Sequence, residues 1–175
     1  VTTQPLMVMV LKAFEIVASS FSTASVLAYL KCGLTGISDE EIYEIENYCF
    51  LWNISGRAWL SDFPFNPDGM TEGFTEKQQT ALAKLNAIRK KIILPLTAFE
   101  QAVKNGGKSV DFARAVFELL TAEQSVQHLE HFASLIEQDG DIEEADLLRR
   151  SWDMLITTLD RVAAMPGEAI DRDGF

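Results

Sequence analysis

Apolar residues recur at helical spacing, three or four positions apart, along almost the whole of this chain. No run of alternating β-branched residues is long enough to indicate a competing strand. The pattern therefore predicts an all-α fold, an irregular bundle of about seven helices that forms a single domain over residues 1–165. Residues 166–175 have no apolar period, and we expect them to form a frayed tail.

Capping residues and glycines mark where most of these helices begin and end. Ser38 with Glu41, and Thr75 with Gln78, have the capping-box spacing, in which side chains and backbone amides at a helix N-terminus bond reciprocally. Gly33 supplies the left-handed backbone that ends a helix. The other helix starts are expected at Pro5, at Thr23, at a capping Ser109, at Thr121 or Ser125, and at Asp141.

The longest apolar stripe follows Thr75 and predicts one helix that continues to Asn105. Its inward positions are Leu82, Leu85, Ile88, Ile92, Leu96, Phe99 and Val103. Pro95 lies inside this helix, where proline removes a backbone donor and crowds the carbonyl four residues earlier. We therefore expect a kink between Lys91 and Pro95.

Large aromatic residues are concentrated between Glu46 and Trp59, at the predicted end of the third helix. Asn53 and Gly56 supply the amide and the permissive backbone that end a helix. Trp59 follows this end and can fold back on the apolar stripe that contains Trp52. We expect both tryptophans to be largely buried.

The chain is acidic, with a net charge of −11 over 175 residues, and its 47% hydrophobic content is sufficient for a core. A surface dominated by carboxylates repels phosphate and disfavours a nucleic-acid-binding face. The exception is residues 75–108, which hold seven basic and two acidic residues. Candidates there for contact with DNA or with an acidic partner are Lys84, Arg89, Lys90, Lys91, Lys104 and Lys108. The alternative is a solvated helix face that offsets neighbouring carboxylates.

None of the common catalytic motifs occurs: no phosphate-binding loop, dinucleotide-binding glycine turn, zinc-protease histidine pair or nucleophile elbow. His128 and His131 lie one helical turn apart without a third metal ligand, so we interpret them as surface histidines. The acids of residues 139–144 do not follow the order of a calcium loop. Cys32 and Cys49 lack metal-ligand spacing and are interpreted as buried thiols. We predict no catalytic, cofactor or metal site in this chain.

The longest apolar run near the N-terminus, Leu6–Leu11, is too short to span a membrane. No basic segment with a small-residue cleavage site precedes it. These features favour a soluble cytoplasmic protein with no membrane contact. The first residue, Val1, and the acidic, glycine-containing final ten residues indicate a piece of a longer chain.

Several short motifs, in the same order and at the same spacing over about residues 5–160, resemble the B subunit of the AddAB (RexAB) ATP-dependent helicase-nucleases. The matching segments are Tyr29-Leu30-Lys31-Cys32-Gly33-Leu34, Glu46-Asn47-Tyr48, Gly56 to Trp59, Asn86-Ala87-Ile88-Arg89, Leu94-Pro95-Leu96 and Ser109–Leu120. Cys32 stands where the family usually has threonine. Within this pattern we interpret Glu46 and Asn47 as residues that secure the neighbouring turn.

The resemblance implies an interior helical fragment, similar to the 2B domain of superfamily 1 helicases. The parent subunit of this family acts with an AddA-like helicase-nuclease subunit on double-stranded DNA ends, in recombinational DNA repair. It resembles a helicase that has lost motor activity, fused to a nuclease with an iron-sulfur cluster and magnesium. The parent's ATP-binding loop, cluster cysteines and nuclease carboxylates lie outside such a fragment, so no catalytic residue carries over.

Two other functions are consistent with the residues. A stand-alone acidic helical module would use the aromatic segment to bind a partner peptide or helix. Direct DNA binding would instead use the basic residues between Lys84 and Lys108. The resemblance favours a non-catalytic domain that supports the helicase core and contacts the partner subunit or the DNA channel.

Overall fold

The computed structural model of the chain describes residues 4–70 and 73–165. Seven α-helices and no strand occur in these residues, which confirms the predicted all-α fold. The helices are α1 (Pro5–Ala18), α2 (Thr23–Leu30), α3 (Asp39–Leu51), α4 (Glu76–Asn105), α5 (Ser109–Ala122), α6 (Ser125–Gln138) and α7 (Ile142–Ala163). A short 3-10 helix, Gly56–Leu60, lies between α3 and α4.

Buried residues from all seven helices form one hydrophobic cluster. Helix α7 packs against α5 and α6, α5 packs against α4, α1 packs against α2, and α3 lies between α2 and α4. The buried positions of α1 show how the sequence pattern produces this packing: Leu6, Met9, Ala13 and Ile16 share one helix face and are fully buried.

Three of the predicted helix starts have the expected capping bonds. The Ser38 hydroxyl accepts a hydrogen bond from the Glu41 amide at 3.2 Å, and the Glu41 carboxylate accepts one from the Ser38 amide at 3.0 Å. Thr75 and the Gln78 side chain make the same reciprocal pair before α4. Asp141 accepts from the Glu144 amide at 3.0 Å. These contacts satisfy amides that an N-terminal turn leaves without helical partners.

The predicted Ser109 cap was wrong, whereas the second of the two alternative starts, Thr121 or Ser125, is confirmed. Ser109 does not cap α5: it is the first helical residue, and the Asp111 carboxylate accepts from the Lys108 amide at 3.1 Å. Ser125 begins α6, but its fully buried hydroxyl donates to the Leu34 carbonyl at 3.3 Å instead of capping the helix. The Ser125 hydroxyl thus takes part in tertiary packing, although local propensity assigns it to a helix end.

Helix α4 runs for 30 residues and continues through Pro95 without ending. Because proline has no amide hydrogen, the helical bond to the Lys91 carbonyl is missing. The Thr97 hydroxyl donates to the Ile93 carbonyl at 2.9 Å in the same turn. The expected bend between Lys91 and Pro95 stays a prediction.

Residues 166–175, for which a frayed tail was expected, lie outside the described residues. Across the two described ranges, the helices lack the combination of length and apolar character that crossing a membrane requires.

A buried carboxyl lies where α5 ends and α6 begins. Glu123 is 8% exposed and accepts a hydrogen bond from the Tyr29 hydroxyl of α2 at 2.8 Å. Burial raises the pKa of Glu123 to about 7, and the Tyr29 hydrogen bond only partly opposes this shift. Burial, together with the neighbouring Glu123, also raises the pKa of Tyr29 well above its usual value. The folded state therefore prefers a protonated Glu123.

This preference predicts a pH-dependent stability. A carboxyl whose pKa rises from 4.5 to about 7 on folding stabilises the fold at low pH, relative to higher pH. The free energy of unfolding should therefore fall by about 3 kcal/mol between pH 4.5 and pH 8 from this group alone. Glu123→Gln should remove this contribution and raise stability at pH 8, as measured by urea unfolding at several pH values. Glu118→Gln, on the exposed side of α5, is the control. An equal pH dependence in native and Glu123→Gln proteins would contradict the prediction.

Candidate functional site

The loop of residues 53–66 connects the end of α3 to the segment before α4 and contains the motif residues Gly56 and Trp59. Helix α3 ends when Asn53 adopts a left-handed φ of 49° and the Ile54 amide donates to the Cys49 carbonyl at 2.9 Å. Gly56 has a φ of 63°, and its amide donates to the Phe21 carbonyl at 2.9 Å. A residue with a side chain is strained at this φ, which explains the glycine.

Trp59 anchors the loop in the core and is fully buried, as predicted. Its indole Nε1 donates to the Thr23 hydroxyl at 3.0 Å, and that hydroxyl in turn donates to the Ile54 carbonyl. The ring also meets Phe63 edge-on, with centroids 5.7 Å apart. The N-terminus of α2 is thus joined to the loop by a chain of buried hydrogen bonds.

Tyr48, on the last turns of α3, holds the second half of the loop. Its hydroxyl donates to the Phe65 carbonyl at 3.1 Å and accepts from the Phe65 amide at 2.9 Å. Its ring stacks on Phe63 at 4.8 Å. Trp52 stacks on Phe65 at 4.7 Å and donates from Nε1 to the Asn66 carbonyl at 2.9 Å. Trp52 is only partly buried and is therefore more exposed than predicted.

Asn86 on α4 bonds to both the amide and the carbonyl of Phe63, as Tyr48 does for Phe65. The Phe63 amide donates to Asn86 Oδ1 at 2.7 Å, and Asn86 Nδ2 donates to the Phe63 carbonyl at 3.1 Å. A buried backbone group without a partner costs about 1–3 kcal/mol, so one amide side chain here removes two such costs.

Arg89, one turn further along α4, hydrogen-bonds to the loop at two points and to Asn86 of its own helix. It donates to the Trp59 carbonyl at 3.0 Å, to Asn86 Oδ1 at 3.2 Å, and to the Asp62 carboxylate. Its guanidinium carbon also lies 5.8 Å from the centre of the Phe63 ring. The Arg89 side chain is only 5% exposed. The loop covers this side chain, and the assignment of Arg89 to a DNA or partner contact surface stays a prediction.

The other predicted contact residues differ in the ion pairs that they form. Lys84 pairs with Glu44 at 2.7 Å, Lys91 with Glu41 at 2.8 Å, and Lys104 with Glu100 at 2.6 Å. Lys90 lies 3.8 Å from Asp62. No ion pair of Lys108 occurs among residues 4–70 and 73–165. Most of the basic set thus neutralises carboxylates of this chain, as in the solvated-face interpretation.

Glu46 and Asn47 have different environments, although they are adjacent in the motif. Glu46 pairs with Lys31 at 2.6 Å, which connects α3 to the turn after α2. Asn47 is exposed, and its side chain makes no hydrogen bond within the described ranges. Glu46 therefore secures a neighbouring turn, and Asn47 does not.

Chemically, the site holds backbone in place and offers no reactive group. Burial raises the pKa of Cys49 to about 12 and that of Cys32 to about 11, so both thiols stay protonated at neutral pH. Within the described residues, no three potential metal ligands of the His, Cys, Asp or Glu type come together. An iron-sulfur cluster needs four ligands, commonly four cysteines, and the whole chain has two. These residues therefore do not fit the cluster that the resemblance places in the parent subunit.

Sequence reasoning missed two partners that complete the site. Thr23 was noted only as a helix start, and Asp62 was not singled out, yet both bind the loop. Their partners lie 27 or more residues away in sequence, so no local sequence pattern predicts these contacts. The sequence identified Asn86 only as a member of the Asn86-Ala87-Ile88-Arg89 segment.

Comparison with known proteins gives one consistent result. The chain is 28% identical over 170 residues to the B subunit of the ATP-dependent helicase/deoxyribonuclease of Caldanaerobacter subterraneus, with 96% of the chain covered. Proteins of the same name from Clostridium botulinum (28% identity, 100% covered) and Desulfitobacterium hafniense (31%, 95% covered) also match. No protein-family model matches the chain.

The chain spans only a small part of these relatives: 15% of the first, 16% of the second and 14% of the third. The resemblance inferred from the motifs is confirmed, since the similarity covers nearly the whole chain. The relatives are much longer than the matched segment, as expected for a fragment.

The Arg89 contacts predict a large effect of truncation. Arg89→Ala should lower the free energy of unfolding by about 2–3 kcal/mol, because the buried Trp59 carbonyl loses its donor and the packed side chain leaves a gap. Lys90→Ala, with a side chain that is 67% exposed, is the matched control and should change stability by less than about 0.5 kcal/mol. Urea unfolding of both variants measures the difference. Equal effects would show that Arg89 does not hold the loop.

Tyr48 offers a second test with a single-atom change. Tyr48→Phe keeps the ring stack and removes the hydroxyl that bonds both backbone groups of Phe65, so we expect a loss of about 1 kcal/mol. Tyr43→Phe is the control, because Tyr43 is 66% exposed. Thermal unfolding should show a lower midpoint for Tyr48→Phe only. Amide exchange at Phe65 should also accelerate, and unchanged exchange would argue against the assigned contact.

Proposed function

We propose that this chain, similar along its length to a segment of the B subunit of ATP-dependent helicase/deoxyribonucleases, is a non-catalytic helical domain of such a subunit. In this proposal the parent polypeptide works with an AddA-like partner on double-stranded DNA ends during repair. The domain supports the helicase core and contacts the partner subunit or the wall of the DNA channel.

One observation supports the non-catalytic assignment: most of the motif residues are occupied by contacts within the chain. Tyr48, Trp59 and Arg89 bond to the backbone or side chains of the chain itself, and Gly56 serves a backbone conformation. A catalytic group needs an accessible position and a pKa suited to its reaction. None of these four residues has both properties.

The ion pairs of α4 also affect how strongly this helix could bind DNA. Lys84 and Lys91 each lie within 3 Å of a carboxylate on α3, so a phosphate would have to compete with that carboxylate. Such neutralised lysines contribute little to counterion release, the main source of nonspecific DNA affinity. Contact through a partner subunit is therefore favoured over direct binding by this helix face.

The experiment is an activity assay of the purified chain beside the complete parent complex. We expect a cooperatively unfolding, helical protein with neither ATP hydrolysis nor magnesium-dependent nuclease activity, while the complete complex shows both. Circular dichroism and thermal unfolding establish that the inactive sample is folded. Metal-dependent cleavage of DNA by the purified chain would overturn the proposal, provided that it survives repurification and disappears on heat unfolding.

A further inference from the structure

One motif residue has no role in the fold. Asn47 lies between Glu46 and Tyr48, both of which contact other parts of the chain, yet its own side chain is exposed and contacts no polar group of the described residues. The fold therefore explains its neighbours and leaves Asn47 without an internal function.

Asn47 lies in the middle of an exposed apolar row on α3. Tyr43 is 66% exposed, Phe50 is 69% exposed and Leu51 is 52% exposed. Positions 43, 47, 50 and 51 share one helix face and span roughly 12 Å at 1.5 Å per residue. Large aromatic side chains on a surface, with a hydrogen-bonding amide between them, are typical of protein interfaces.

The opposite side of α3 fixes this row in place. Ile42, Ile45 and Cys49 are buried in the core, and the two flanks are joined to neighbouring helices through Glu44 with Lys84 and Glu46 with Lys31. The row is thus presented on a rigid helix. Binding there would not have to order the helix first, which reduces the entropic cost of association.

The charge around the row specifies what can bind. Asp39 and Glu40, at the N-terminal end of α3, are exposed and form no ion pair within residues 4–70 and 73–165. Four of the eight acidic residues within 38–74 are paired with basic side chains, so Asp39 and Glu40 supply the uncompensated charge beside the row. An apolar segment flanked by lysine or arginine would be complementary, whereas a nucleic-acid backbone would be repelled.

The small area of the exposed row favours a binding partner that is a segment of the same polypeptide. Three apolar side chains on one helix face form a patch well below the roughly 1,200–2,000 Å² that stable interfaces between separate proteins bury. A segment of the same polypeptide needs less area, because its effective concentration reaches about the millimolar range. In the relatives the matched segment is only 15% of the polypeptide, so most of the chain lies outside it.

We propose that the face of α3 formed by Tyr43, Asn47, Phe50 and Leu51 docks a basic amphipathic helix from another part of the same, longer polypeptide. The aromatic rings contact the apolar stripe of that helix, Asn47 hydrogen-bonds to it, and Asp39 and Glu40 face its lysine or arginine residues. This inference rests on the proposed function, since it requires the longer subunit.

Site-specific photocrosslinking in the purified, complete subunit tests the proposal. Benzoylphenylalanine replaces Phe50 in one sample and, as a control, Leu147 on α7, which is 48% exposed, in another. We expect position 50 to crosslink to one segment of the same polypeptide outside residues 1–175, and mass spectrometry should show helical apolar spacing with adjacent lysine or arginine. Position 147 should not crosslink to that segment.

A second variant tests the charge and the contact at Asn47. Asn47→Arg should lower the crosslink yield about tenfold, equivalent to about 1.4 kcal/mol, by repelling a basic partner, whereas Asn47→Gln should leave it nearly unchanged. Neither substitution should alter unfolding of the 175-residue chain, because the exposed Asn47 side chain makes no hydrogen bond within residues 4–70 and 73–165.

Crosslinks to a separate subunit or to DNA, no yield above the position 147 control, or no response to Asn47→Arg would each overturn the docking proposal. The same subunit variants, co-expressed with the partner subunit and not irradiated, are assayed for partner co-purification and ATP-dependent nuclease activity. Loss of docking with these properties intact rejects the docking site alone, whereas their absence in the unsubstituted subunit rejects the proposed function itself.

Discussion

The structure depends on the hydrogen bonds that neighbouring side chains make with the partly buried backbone of loop 53–66. This loop contacts α2, α3 and α4, where several of its amides and carbonyls bond to side chains of these helices. Tyr48 and Asn86 each bond both the amide and the carbonyl of one loop residue, and Arg89 bonds a third carbonyl. Without these partners, the hydrophobic gain from burying Trp59 and Phe63 would be opposed by several unmade hydrogen bonds. Tyr48, Asn86 and Arg89 are thus the residues that make this burial possible.

Electrostatics adds a second set of connections around the loop. Although the chain has an excess of 11 negative charges, its lysines are not spread evenly over the surface. Lys84 and Lys91 lie opposite glutamates of α3, and Lys31 lies opposite Glu46. Exposed pairs of this kind contribute little individually. Their arrangement reduces repulsion within the acidic segment and leaves Asp39 and Glu40, at the start of α3, without an ion pair among the described residues.

The sequence predicted well those features that depend on neighbours along the chain. The capping box at Ser38 and the burial of Trp59 follow from local spacing and side-chain size, and the structure contains both. The role of Arg89 was not predictable in this way. Its partners are the Trp59 carbonyl and Asp62, 30 and 27 residues away, and a cation in a basic segment resembles a surface residue until the fold covers it. Ser125 illustrates the same difficulty, because a hydroxyl suited to a helix start instead bonds the distant Leu34 carbonyl.

The fully buried face of α1 has a consequence for how the chain acquires its structure. Ser125 of α6 contacts Met9 of α1 across 116 residues, and Glu123 contacts Tyr29 across 94. During synthesis, the first three helices would leave the ribosome well before α6, which completes their environment. Until then, apolar side chains of α1 and α2 remain incompletely covered. The interval between these events is the period when the nascent chain is most exposed to aggregation or to chaperones, and its length depends on translation rate and not on native stability.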